Sequence, residues 1–131
     1  MTTVGQEIYL IGGSAHEAIK EISLAKFEFN KIVWNKVNWT SPPFINIQGR
    51  QAHSTVHYKN SIYIFGGSFS YNKERGIREC TNNILEFNVA THTLCPLKTD
   101  GAAVNVRKNH TAVAYKCSMV VFGGMFENGI I

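Results

Sequence analysis

A short apolar run that stops at two glycines is written three times along this chain. Residues 7–13 read EIYLIGG, residues 61–67 read SIYIFGG and residues 118–124 read SMVVFGG. Aliphatic and aromatic β-formers bounded by a glycine turn predict a strand, and apolar side chains at nearly every position predict one covered on both faces. The second glycines fall at 13, 67 and 124, steps of 54 and 57, a spacing that belongs to arrays and propellers.

The repeat extends well upstream of the glycines. Residues 50–67 (RQAHSTVHYKNSIYIFGG) and 107–124 (RKNHTAVAYKCSMVVFGG) align without a gap and agree at nine of eighteen positions, enough to read them as one β-hairpin written twice. Its strands are expected at about 52–58 and 61–67, and again at 109–115 and 118–124, with tight turns at Lys59-Asn60 and Lys116-Cys117. A third strand follows, in which Phe27-Glu28-Phe29-Asn30 answers Leu85-Glu86-Phe87-Asn88. Trp34-Asn35-Lys36-Val37 then answers Leu94-Cys95-Pro96-Leu97, after a turn shorter by two residues in the first copy. Each complete repeat is thus a four-stranded antiparallel meander that cannot bury itself, and packing between like units supplies the missing cover.

These residues resemble a kelch repeat, the motif shared with the central domain of galactose oxidase. Its pattern is an Arg and a His ahead of the first strand, Gly-Gly after the second, an aromatic with Asp or Asn closing the third, and a Trp before the fourth. Arg50, His53, Gly66, Gly67, Phe87 and Asn88 fill it, with Leu94 in place of the Trp. The first copy keeps Gly12, Gly13, Phe29, Asn30 and Trp34; the third keeps Arg107, His110, Gly123 and Gly124. The resemblance implies an all-β fold of kelch-type β-propeller blades, each of four antiparallel strands. It gives blade I at 1–38, lacking most of its first strand, a complete blade II at 50–97, and the first half of blade III at 107–131.

Propellers use four to eight blades of about 50 residues, so about two and a half blades form an incomplete propeller with apolar faces and strand edges open. The expectation is a fragment, a truncated product, or a part whose missing blades come from a longer chain or from self-association.

Composition and charge narrow the partners. With 44% hydrophobic and 17% charged residues the chain is that of a folded protein. A net charge of +4 spread over scattered Lys and Arg argues against nucleic acid. No run approaches a membrane span, and the first six residues carry no signal features, so the cytoplasm is the expected compartment. Cys80, Cys95 and Cys117 are odd in number and lack metal-ligand spacing, which favours free thiols. The sequons at Asn38-Trp39-Thr40 and Asn109-His110-Thr111 are therefore read as chance matches.

Candidate chemistry is sparse. The glycine pairs recur in every copy without a following Lys-Ser or Lys-Thr, so they are read as packing positions rather than phosphate loops. His53 and His110 occupy equivalent places with no second ligand at suitable spacing. With Arg50 and Arg107 they are assigned to backbone carbonyls where blades meet, and Trp34 to packing between blades. No catalytic residue, metal or cofactor is expected; a carbohydrate-active or copper-dependent enzyme, as in galactose oxidase, is the alternative.

In an antiparallel meander the long connections, here residues 14–23, 39–49, 68–82 and 98–106, emerge on one rim. Variable loops on a rigid scaffold carry recognition. The expected function is therefore a protein-binding module within a scaffold or adaptor, with Phe69, Tyr71, Arg75 and Arg78 as the leading candidates. Residues 41–45 (SPPFI) are a second candidate.

Overall fold

A computed structural model describes residues 1–13, 21–72, 74, 76–126, 129 and 130, with the backbone alone at 70–72, 77, 129 and 130. Every regular element among them is a strand. The first sheet joins β1 (Thr2–Val4), β2 (Glu7–Ile11), β3 (Leu24–Glu28) and β4 (Val33–Lys36) in sequence order, all antiparallel. β5 (Ser54–Tyr58) and β6 (Ser61–Phe65) open the second sheet. A separate hairpin of β7 (Ser68–Asn72) and β8 (Ile77–Cys80) follows, and β9 (Ile84–Asn88) and β10 (Thr93–Pro96) complete the sheet in the order β10-β9-β6-β5. The third unit is a hairpin of β11 (Thr111–Tyr115) and β12 (Ser118–Phe122), followed by the short pair β13 (Met125–Phe126) and β14 (Gly129–Ile130).

The sheets are the blades of an open, partial propeller. Their first strands stand side by side, β5 touching both β1 and β11. β1 has three residues where β5 and β11 have five, so the first strand of blade I is shortened rather than mostly missing. Lys59 and Lys116 close the two equivalent hairpins, each with φ 54°, in the left-handed region that tight hairpin turns use.

The third strand differs from the sequence alignment by two residues. Phe27 lies opposite Trp34, and Phe87 lies opposite Leu94. Phe27 and Glu28 are therefore the counterparts of Phe87 and Asn88, while Phe29 and Asn30 belong to the turn. Both turns hold four residues, 29–32 and 89–92, and both end on a left-handed residue, Ile32 and His92, at φ 54°. A slip of two keeps every side chain on the same face of a strand, so the local match of FEFN to LEFN satisfied the hydrophobic pattern in the wrong register.

The main core lies between blades I and II. Tyr9, Ile11, Leu24 and Val37 of the first sheet region meet Ile62, Ile64, Leu85, Phe87 and Leu94 of the second, with the Tyr9 and Phe87 rings 6.1 Å apart. Each such side chain contributes about 1.5–3 kcal/mol through burial. The outer faces are bare among the described residues: Val113, Tyr115, Val120 and Phe122 are exposed on blade III, and all of β4 on blade I. Trp34, expected between blades, meets no second blade among the described residues. It is 45% exposed and rests on Phe27, ring centroids 5.1 Å apart, whereas its counterpart Leu94 is fully enclosed.

The link from blade I to blade II runs along the outer edge of β10. Thr40 bridges Thr93 in parallel, its amide donating to the His92 carbonyl at 3.0 Å and its carbonyl accepting from the Leu94 amide at 2.8 Å. That backbone caps an edge that would otherwise offer free donors and acceptors.

Candidate functional site: the blade junction and the long-loop rim

Two arrangements recur from blade to blade, one structural and one open to solvent. At each junction the arginine and histidine of one blade close on the glycine pair of the blade before. The Gly13 amide donates to the Arg50 carbonyl at 3.0 Å, and the Gly67 amide to the Arg107 carbonyl at 2.8 Å. The first glycine of each pair lies under the next blade's histidine: a Cβ on Gly66 would sit 2.7 Å from the Arg107 oxygen and 2.8 Å from His110 Cε1. Gly12 meets Arg50 and His53 in the same way. Gly12, Gly66 and Gly123 all have φ 66°, which a side chain rarely tolerates.

The guanidinium groups turn back to their own blades. Arg50 Nη1 donates to the Gly66 carbonyl at 3.3 Å, and Arg107 Nη1 to the Gly123 carbonyl at 3.0 Å. Arg50 is 5% exposed, and burial pushes its guanidinium down to about 10. Burial, and then the Arg50 charge, lower His53 to about 4; burial and Arg107 lower His110. Both imidazoles are therefore neutral near pH 7. His110 Nε2 lies 2.7 Å from Ser54 Oγ, and its ring meets the edge of Phe65 at 5.2 Å. Among the described residues no three His, Cys, Asp or Glu side chains form a group able to hold a metal.

The second arrangement is on the rim of long connections. Segment 68–82, expected as a loop, is the β7–β8 hairpin, stitched to the Arg box by paired backbone bonds between Ser68 and Gln51, both 2.9 Å. Lys108 and Met125 repeat the pairing in blade III. Phe69 and Tyr71 thus fall on β7 and Arg78 on β8. Arg75 lies outside the described residues, as does the Tyr71 side chain.

Behind the hairpin is a cleft of about 330 Å³, which brings together three chain segments. Ile45 to Gln48 come from the first blade-to-blade link, Phe69 and Cys80 to Asn83 from the hairpin and its exit, and Val106 from the second link, with Arg50, Leu85 and Pro96 between them. Thr81 Oγ1 accepts from the Asn83 amide at 3.0 Å, and Asn82 Nδ2 donates to the Val104 carbonyl at 2.8 Å, so side-chain bonds hold the exit segment where secondary structure does not. Ile45 and Ile47 also line a neighbouring cleft of about 440 Å³ with Ile22, Leu24 and Trp39. Next to Ile45 stands Phe44, wholly exposed and at φ 66°.

Of the sequence candidates, the structure places Phe69 in the cleft and Arg78 on its hairpin. It adds Ile47 and the Thr81–Asn83 exit, which sequence reading left aside, and puts Arg50, read as a junction residue, in the cleft wall as well. The recurrent Arg marked Arg50 as a blade position; nothing in the residue order showed that it also lines a cleft.

The Kelch-repeats domain family of KLHDC2, KLHL20 and DRC7 matches residues 1–131. The chain belongs to the kelch-repeat family. Kelch-repeat domains generally mediate protein–protein interaction and are typically non-enzymatic, and the diglycine, Arg and His positions of this chain are its kelch signature.

Proposed function

We propose that this kelch segment recognises another protein through its long-loop rim, with the cleft beside Phe69 as the seat of a partner side chain and Phe44 as an anchor reaching into the partner. Phe44 carries the reading. A fully exposed aromatic ring on a left-handed, non-glycine backbone costs about 1–2 kcal/mol in conformation, and the ring gains no burial in the isolated fold. Aromatic side chains dominate interface energetics, and this one stands where Ile45 borders both clefts. Phe69, Tyr71, Arg75 and Arg78 extend the same surface along the hairpin. The exposed apolar faces of blades I and III support a place beside further blades, as in a larger scaffold or adaptor. The free thiols of Cys95 and Cys117 suit a reducing compartment such as the cytoplasm.

A photo-crosslinking residue placed at position 44 or 69, compared with one at position 59 on the opposite rim, tests the proposal. Specific partner adducts are expected from 44 and 69 alone. Adducts of equal yield from position 59, or adducts from 59 only, would move the binding surface to the short-turn rim.

A further inference from the structure

Arg50 and Arg107 hold the same place in successive blades, yet their side chains are not equally partnered. Each gives Nη1 to the first carbonyl of its own blade's glycine pair, Gly66 or Gly123. Arg107 also gives Nε to the Asn105 carbonyl at 3.3 Å. The residue that answers Asn105 in the earlier blade is Gln48, and there the Nε of Arg50 has no partner. The one further contact of Arg50, from Nη1 to the Asn83 carbonyl, is long at 3.5 Å.

The less well partnered of the two arginines is the more deeply buried. Arg50 is 5% exposed, whereas Arg107 is half-buried. No carboxylate lies within ion-pair distance of Arg50 among the described residues. Taking a cation out of water is costly unless an opposite charge or a full set of hydrogen bonds replaces its hydration. A nearby carboxylate would hold the guanidinium pKa up; here burial is the sole influence, and it lowers it.

This uncompensated charge borders the cleft of about 330 Å³ behind the β7–β8 hairpin. Among the described residues that line it, Arg50 is the one permanent charge and none is acidic. The neighbouring cleft, by contrast, carries both Glu21 and Lys36. Phe69 and Leu85 give the Arg50 cleft an apolar wall, and Gln48 adds a side-chain amide. Its volume lies at the lower end of ligand sites, about 300–1,000 Å³, a size for one side chain. Every described wall comes from blade II or from the two links that flank it, all of them present in the chain.

We propose that this cleft is selective for an acidic side chain: a glutamate or aspartate of the partner lays its methylene stem on Phe69 and Leu85 and gives its carboxylate to the guanidinium of Arg50, with the Gln48 amide as a second donor. The inference rests on the reading of the cleft as the seat of a partner side chain and adds the charge of that side chain.

The test uses the 131-residue chain, nitrogen-15 labelled, at pH 7 and low salt under reducing conditions. Three tripeptides are titrated: acetyl-Ala-Glu-Ala-amide, its Gln analogue with both ends blocked, and the Gln analogue with a free C-terminal carboxylate. The Glu peptide is expected to shift the Arg50 Nε–H resonance and to bind at least about tenfold more tightly than either Gln peptide. Arg50→Gln should abolish that preference. Should this variant unfold the junction, Gln48→Glu carries the test, because position 48 is exposed and a glutamate there sets a carboxylate into the cleft wall. Gln48→Glu should weaken the Glu peptide at least about tenfold. Equal affinity for the Glu peptide and the blocked Gln peptide, equal or tighter binding of the free C-terminus, shifts confined to surface lysines, or undiminished binding in Gln48→Glu would each overturn the proposal. Equal affinities with shifts at Phe69 would leave the cleft a side-chain seat without charge selection, and crosslinking from positions 44 and 69 tests that seat separately.

Discussion

Gly66 and Gly123 offer a paired substitution that isolates the blade junction. Both have φ 66°, so Ala at either position carries the same left-handed penalty, about 1 kcal/mol. Their surroundings differ. A Cβ on Gly66 lands 2.7 Å from the Arg107 carbonyl oxygen and 2.8 Å from His110 Cε1, and one on Gly123 meets no atom within 4 Å. The Arg107 oxygen is held by the Gly67 amide at 2.8 Å, so it cannot retreat without loosening that bond. Overpacking of this kind costs about 1–3 kcal/mol. Gly66→Ala is thus expected to destabilise by about 2–4 kcal/mol and Gly123→Ala by about 1 kcal/mol. Urea titration of the two variants beside the parent chain reads the difference in midpoints at constant slope. Equal losses would show that glycine is kept at these positions for its backbone angle alone and that the contact with the next blade is immaterial.

Leu94→Ala should cost about 2–5 kcal/mol because Leu94 is fully enclosed between blades; Trp34→Ala, at the same repeat position but half exposed, should cost under about 1.5 kcal/mol in the same titration. His53 takes up a proton near 6.5 when unfolded but only near 4 when folded, so its contribution is whole above pH 6.5 and drains away as the pH falls toward 4. The loss is at most about 3 kcal/mol, and His53→Gln should flatten the stability profile over that interval. Phe44→Gly should leave stability unchanged or raise it by up to about 1 kcal/mol while reducing partner crosslinking at position 69; a loss of stability would show that Phe44 supports the fold.

The blades are legible in the residue order itself. Glycine pairs and an Arg-x-x-His box at fixed spacing specify which strands are equivalent, and the two-residue turns at Lys59 and Lys116 fix the hairpin register. The third strand is harder to read, because a slip of two residues leaves the inward face unchanged and only the four-residue turn with its left-handed Ile32 distinguishes Phe27 from Phe29. Trp34 is hard to read for another reason. Residue type signals a packing position, but whether anything packs there depends on a neighbouring blade. The rim is half readable: length and composition mark segment 68–82, yet its hairpin character arises from backbone pairing of β7 with β8 and its seating from backbone bonds between Ser68 and Gln51, for which no side-chain pattern exists. Phe44 stands within a stretch that the prolines single out, and its full exposure is a property of the fold alone.

The junction that defines these blades is tested most directly by native-state amide exchange at three equivalent glycines. The Gly13 and Gly67 amides donate across the junction to Arg50 and Arg107, whereas Gly124 has no such acceptor among the described residues. Slow exchange at Gly13 and Gly67 with fast exchange at Gly124 is the expected pattern. Fast exchange at all three would contradict the blade-to-blade packing of this chain.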